Sequence, residues 1–124
     1  MNDILTRAHV DTTKQNIHET AAQLLGHLGA TAVSLLAGAK DSRQANRWAR
    51  ADGPDPRPET VRRLLLAHRI WGAISSAEDD YVARNWFVGS NPRLGERSPL
   101  EAIRDGDLTE AAWAAQAFLD GTDG

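Results

Sequence analysis

The sequence predicts an all-α protein, and three observations carry that prediction. Apolar residues recur at helical spacing along most of the chain, and no stretch alternates apolar and polar residues as a strand would. Proline, glycine or a capping residue marks most ends of the helical stretches. The expected architecture is two helical lobes packed on one long shared helix.

The elements follow in order. Residues 1–10 carry no pattern and are expected to be disordered. A helix from Asp11 to about Leu28 aligns Ile17, Ala21, Leu24, Leu25 and Leu28 on one face, and Gly29 ends it. A short helix over residues 30–37 buries Ala30, Val33, Leu36 and Ala37, with Gly38 as the turn residue. Asp41 or Ser42 caps a third helix reaching about Ala51. Residues 52–58 hold three prolines and a glycine and cannot be helical. Pro58 and Glu59 open a long helix to about Ser76. It bears two apolar stripes, one of Val61, Leu64, Leu65, His68 and Trp71, the other of Leu66, Ile70 and Ala73. A helix apolar on two sides is packed on both, which makes it the shared spine. Ser76 and Asp79 form a capping pair for a helix through Phe87, and residues 88–99 form a loop rich in turn residues. Ser98 caps and Pro99 starts a short helix ending at Gly106. Asp107 caps the last helix, which lines up Leu108, Ala111, Ala112, Ala115, Phe118 and Leu119 before Gly121 stops it.

Composition narrows the function classes. The 124 residues suit one domain or two small lobes sharing a core. The absence of cysteine excludes disulfides, thiol catalysis and thiolate zinc sites. Nothing resembles a signal peptide, and no apolar run approaches the roughly 18–20 residues that span a membrane, so a cytoplasmic protein without a membrane partner is expected. The net charge of −3 hides a split: residues 40–69 carry +4, residues 70–124 carry −6 and residues 1–39 carry −1. A basic centre beside an acidic tail points to two different partners, although solvated surface charge would produce the same split.

At about 100° per residue, Arg43, Asn46, Arg47 and Arg50 share one face of the third helix, and Ala45, Trp48 and Ala49 share the other. An arginine edge on a helix docked by tryptophan suits a DNA major groove, where arginine pairs with guanine or holds phosphate. An arginine-rich sequence can also place such a face on a surface helix with no partner. Lys40, Ser42, Arg43, Gln44, Asn46, Arg47 and Arg50 are the candidate DNA contacts.

Residues 35–48 with residues 58–64 resemble the Xre-type helix-turn-helix, in which a small residue precedes an Arg-Trp pair by a short interval and an arginine-rich helix follows a proline. Ala45, Arg47 and Trp48 occupy those places. The spacing from Gly38 to Trp48 is one residue longer than usual, and Ala49 stands where acidic residues are frequent. Trp86, Asn91, Pro92, Leu94, Gly95, Pro99 and Gly106 stand in the order of the toxin-binding module of Xre/MbcA/ParS-type antitoxins. The two matches together cover about residues 30–121. The resemblance implies a helix-turn-helix region over residues 11–76 and a toxin-binding or dimerisation module over residues 77–124. It also implies a homodimer that represses its own operon and binds a RES-domain toxin, an enzyme that destroys NAD. Trp86, Phe87, Asn91, Pro92, Arg93, Leu94 and Trp113 are the candidate partner-binding residues, although for Trp86 and Leu94 the reading as fold determinants is favoured.

Trp113 stands about 140° from Leu108 around the last helix, off the apolar stripe, with Ala117 near 180°. A toxin, a second copy, or another part of the chain would each account for it. His9, His18, His27 and His68 lack metal-ligand spacing, and structural roles are expected. Glu78, Asp79 and Asp80 suit a helix N-terminus better than a catalytic cluster. Gly26 and Gly29 follow no strand and form no phosphate loop. No nucleophile–base arrangement is evident, so neither catalysis nor a cofactor is expected. The leading expectation is an antitoxin. A stand-alone transcriptional regulator and a protein-interaction module that has lost DNA binding are its rivals.

Overall fold

The computed structural model describes residues 16–121, and the expectations for residues 1–10 and for the helix start at Asp11 lie outside that range. The described chain is all-helical, with α1 (Ile17–Leu28), α2 (Ala30–Ala37), α3 (Arg43–Ala49), α4 (Pro58–Ala77), α5 (Asp80–Val88), α6 (Pro99–Arg104) and α7 (Leu108–Leu119). A 3-10 turn over Pro92–Leu94 sits between α5 and α6. No helix of the described residues is long and apolar enough to cross a membrane.

The spine is α4, which packs on α1 and α2 and also on α5, α6 and α7. It buries Leu64, Leu65, Leu66, Ala67, Ile70, Trp71 and Ile74, which cover more than one side of the helix. Val61 and His68 are half-buried, and Ala73, expected on the second stripe, is exposed. The helices before and after the spine also meet directly, because α2 lies against α6. A single apolar cluster therefore runs from Ala21 and Leu24 through Trp48 and Trp71 to Phe87 and Ala115.

Local chemistry sets the boundaries. Asn16 caps α1, its Oδ1 accepting the His18 and Glu19 N–H groups. Gly38, at φ 78°, closes α2 in the left-handed conformation, which glycine adopts without strain. The expected Ser76–Asp79 capping pair does not form. Glu78 N–H still bonds to the Ile74 carbonyl, so Ser76 remains inside α4, and Asp79 alone caps α5 by accepting Val82 N–H at 2.8 Å. Ser98 caps α6 as expected, and Glu101 returns a bond to Ser98 N–H to complete a capping box. Asp107 stands at the N-cap of α7 without capping it through its side chain, because that carboxylate accepts from Arg97 instead.

The last helix is rotated from its expected register. Ala111, Ala114, Ala115 and Ala117 are its buried residues, while Leu108, Ala112, Phe118 and Leu119 are only half-buried. Alanines facing the neighbours allow the backbones to approach closely, and the bulkier side chains are left along the edges. Ala117, expected beside Trp113 on the outer side, is buried.

Candidate functional site

The basic face begins with α3 and the turn before it. Trp48 and Ala45 are buried behind the helix, and Arg43, Asn46 and Arg47 are exposed in front, as the helical spacing requires. Lys40 and Ser42 are exposed in the preceding turn, and Gln44 is half-buried. Arg50 departs from the expected register. At φ −83° and ψ 139° it has left the helix, so its exposed side chain extends the basic edge from the following turn.

Two of these arginines are held in place. Arg43 Nε donates to Asp41 Oδ1 at 3.2 Å and to Oδ2 at 2.9 Å, and Nη2 donates to Oδ2 at 2.6 Å, so the guanidinium engages both carboxylate oxygens on the protein surface. Those bonds, with the Arg43 backbone N–H also donating to Asp41, lower the Asp41 pKa to about 2. Asp41 therefore does the capping expected of either Asp41 or Ser42, and Ser42 makes no capping bond. Arg47 Nη1 donates to Gln44 Oε1 at 3.1 Å. Arg43 is thus occupied by a carboxylate that any phosphate or base would have to displace, whereas Arg47 is held by a neutral amide.

Three contacts that sequence reasoning missed fix this helix to its support. His18 Nδ1 meets the Trp48 carbonyl at 2.8 Å and Nε2 meets Asp55 Oδ1 at 2.9 Å, so one ring ties the start of α1, the end of α3 and the proline-rich loop. Ser34, buried in α2, donates to the Ser42 carbonyl and holds the turn. Gly53 lies so close to the end of α3 that an added Cβ would sit 1.9 Å from the Arg47 carbonyl oxygen. The sequence marked Gly53 only as a helix breaker, and nothing in its spacing signals this approach.

A cleft of about 450 Å³ opens between the α2–α3 turn and the start of α4. Lys40, Arg57 and Arg63 face Asp41, Asp55 and Glu59 around it, so it favours no single sign of ligand charge.

The C-terminal motif has the opposite character. Phe87 is fully buried, Leu94 is 2% exposed, and Trp86 and Asn91 are nearly buried. Trp86 and Phe87 meet edge to face at 5.2 Å between ring centroids. The Trp86 indole N–H is buried without an acceptor among the described residues. Asn91 organises the loop: its Oδ1 accepts Arg93 N–H, its carbonyl accepts from Leu94 and Glu96, and its own N–H donates to the Arg97 carbonyl. The side chains of Trp86, Phe87, Asn91 and Leu94 are therefore engaged within the fold in this conformation, which for Trp86 and Leu94 is the structural role favoured from the sequence. Of the seven candidates, Pro92, Arg93 and Trp113 are exposed.

Arg97 locks the loop to the last two helices and was not identified from the sequence. Its Nε donates to the Leu94 carbonyl at 2.9 Å, and its Nη1 donates to Asp105 and Asp107 at 2.9 and 2.8 Å. Its partners lie eight and ten residues away, which is no helical spacing. Arg63 performs a similar task from the spine, donating to the Ile103 carbonyl at the end of α6.

The histidines serve packing. His27 stacks on Trp71 at 4.4 Å, and His68 Nε2 bonds to Gln23 Oε1 at 2.6 Å. Burial, and secondarily the neighbouring His27, lower the His68 pKa. No cluster of three or more potential metal ligands occurs among the described residues. Comparison with protein-family models, curated proteins and solved structures found no match to this chain.

Proposed function

We propose that the chain is a DNA-binding antitoxin of the Xre/MbcA/ParS type, which pairs with itself, represses its own operon and neutralises a RES-domain toxin by direct binding. The observation that carries the DNA part is the solvent-facing edge of Arg43, Asn46 and Arg47, extended by Arg50 and Lys40 and anchored from behind by buried Trp48. A short helix seated this way turns its guanidinium groups to solvent and its tryptophan to the core, the arrangement that groove readers use. The toxin part rests on the resemblance of residues 86–106, together with the acidic charge of the C-terminal half.

Two measurements test the reading separately. Binding to double-stranded DNA from the region upstream of its own gene should weaken steeply as salt rises, because phosphate contacts release counterions. Salt-independent binding, or none, would overturn the DNA part. Co-expression with the product of the adjacent reading frame should yield a complex that survives purification and lacks NAD-degrading activity. A DNA binder with no such partner would instead be a stand-alone regulator.

A further inference from the structure

The face that α7 shares with α4 carries a knob and a groove side by side. Trp113 is 71% exposed, an unusual position for the largest side chain in the chain. Next to it, a groove of about 320 Å³ runs between α4 and α7. Leu65, Leu66, Leu108 and Ala112 form its apolar lining, and Arg62 and Arg69 stand two turns of α4 apart beside them. Both arginines are exposed, and their side chains make no hydrogen bond or ion pair with any described residue.

We infer that this face joins two copies of the chain, with Trp113 of each copy seated in the α4–α7 groove of the other. The groove calls for a large apolar side chain accompanied by carboxylates, and α7 itself supplies that combination. Glu110 is exposed less than one turn before Trp113, and at about 100° per residue the two stand roughly 60° apart on the outer side of the helix. Seating the ring would bring Glu110 of one copy toward Arg62 and Arg69 of the other, consistent with the acidic C-terminal half meeting the basic centre.

Symmetry favours a second copy over a chain of copies. Thr109 and Ala112 line the groove, and Trp113 follows directly after Ala112 on the same helix. Knob and receptor therefore share one face, so a two-fold axis satisfies both contacts at once and closes the assembly at a dimer. Had they stood on opposite faces, the same contact would have propagated into a filament.

Size limits what the tryptophans can do alone. Two buried tryptophans contribute about 300–500 Å² of the roughly 1,200 Å² that a stable interface needs, so the walls of the groove must supply the rest. This inference rests on the reading that the chain pairs with itself and adds the surface through which it does so.

Sedimentation equilibrium of the full chain tests it, with circular dichroism confirming that each variant is folded. The wild type should dimerise below millimolar concentration. Trp113→Ala should weaken dimerisation at least about 30-fold, as interface hot spots do. The double variant Arg62→Glu/Arg69→Glu changes only exposed residues and should weaken it as well, with partial recovery when Glu110→Arg is added. A folded variant of either kind that keeps the wild-type dissociation constant overturns the assigned surface while leaving self-pairing intact. Loss of an unrelated protein partner from such a variant, with the dimer unchanged, would do the same and assign the face to that partner. A wild type that remains monomeric at millimolar concentration overturns both the surface and the pairing, and leaves DNA binding to be judged by its own assay.

Discussion

The turn and helix over residues 40–50 and the segment over residues 86–99 are the two stretches of this chain that are densest in distinctive residues, and the fold treats them in opposite ways. In the first, the arginines and Lys40 face solvent, and Ala45, Trp48 and half-buried Ala49 are spent on packing. In the second, the residues that make the motif recognisable are mostly inside: Trp86, Phe87, Asn91, Leu94 and Ser98 are all buried. A motif can thus be conspicuous because it meets a partner or because it must fold in one way, and burial separates the two.

The largest effects should come from the buried side of this comparison. Phe87→Ala and Trp48→Ala should each cost about 3–5 kcal/mol in urea denaturation, since each removes a large side chain from a closed core. Arg43→Ala and Arg47→Ala should leave the melting temperature where it is. A stable, unaltered Phe87→Ala protein would mean that the C-terminal motif is not a fold determinant.

Glycine substitutions sharpen the contrast next. Gly53→Ala should cost about 1–3 kcal/mol, because its Cβ must displace the Arg47 carbonyl at the end of α3. It should also weaken DNA binding by moving the helix that Gly53 supports. Gly26 lies inside α1 with nothing within 4 Å of an added Cβ, so Gly26→Ala should stabilise by about 0.5–1 kcal/mol through helix propensity. Thermal melts of the two variants should move in opposite directions.

Asp41→Asn tests the surface pair. Asn keeps the acceptor for the Arg43 backbone N–H but removes the charge that holds the guanidinium. Affinity for DNA should rise about two- to five-fold at fixed salt, in keeping with the modest worth of an exposed ion pair. A fall in affinity would show that the pair positions Arg43 rather than competing for it.

The smallest effect concerns pH. The His68 pKa is lowered in the folded protein, so the unfolded chain binds the proton more readily. The resulting stability is present above the unfolded value near 6.5 and is lost as pH falls through it toward the folded value. The melting temperature should therefore decline slightly between about pH 7 and pH 5, and His68→Gln should flatten that decline.

The sequence made the helices and the front and back of α3 legible because both depend on local periodicity. The position of Trp113 off the expected stripe of α7 was legible for the same reason, but its exposure was not, because spacing leaves open whether another part of the chain covers it. Long-range contacts were not legible. His18 reaches the Trp48 carbonyl 30 residues away, and Arg63 reaches the Ile103 carbonyl 40 residues away. The register of α7 was misjudged for a related reason: hydrophobicity placed the larger residues inward, whereas close helix packing selected the alanines. Arg50 was assigned to a helix that the Gly53 turn ends one residue earlier.

The central claim is that the exposed arginine edge of α3 reads DNA. It is tested most directly by titrating double-stranded DNA from the chain's own upstream region with wild type and with Arg43→Ala/Arg47→Ala at one fixed salt concentration. The double variant should bind at least about tenfold more weakly while melting like the wild type, because each arginine is expected to contribute and neither supports the core. Equal affinity of a folded double variant for that DNA would contradict the account.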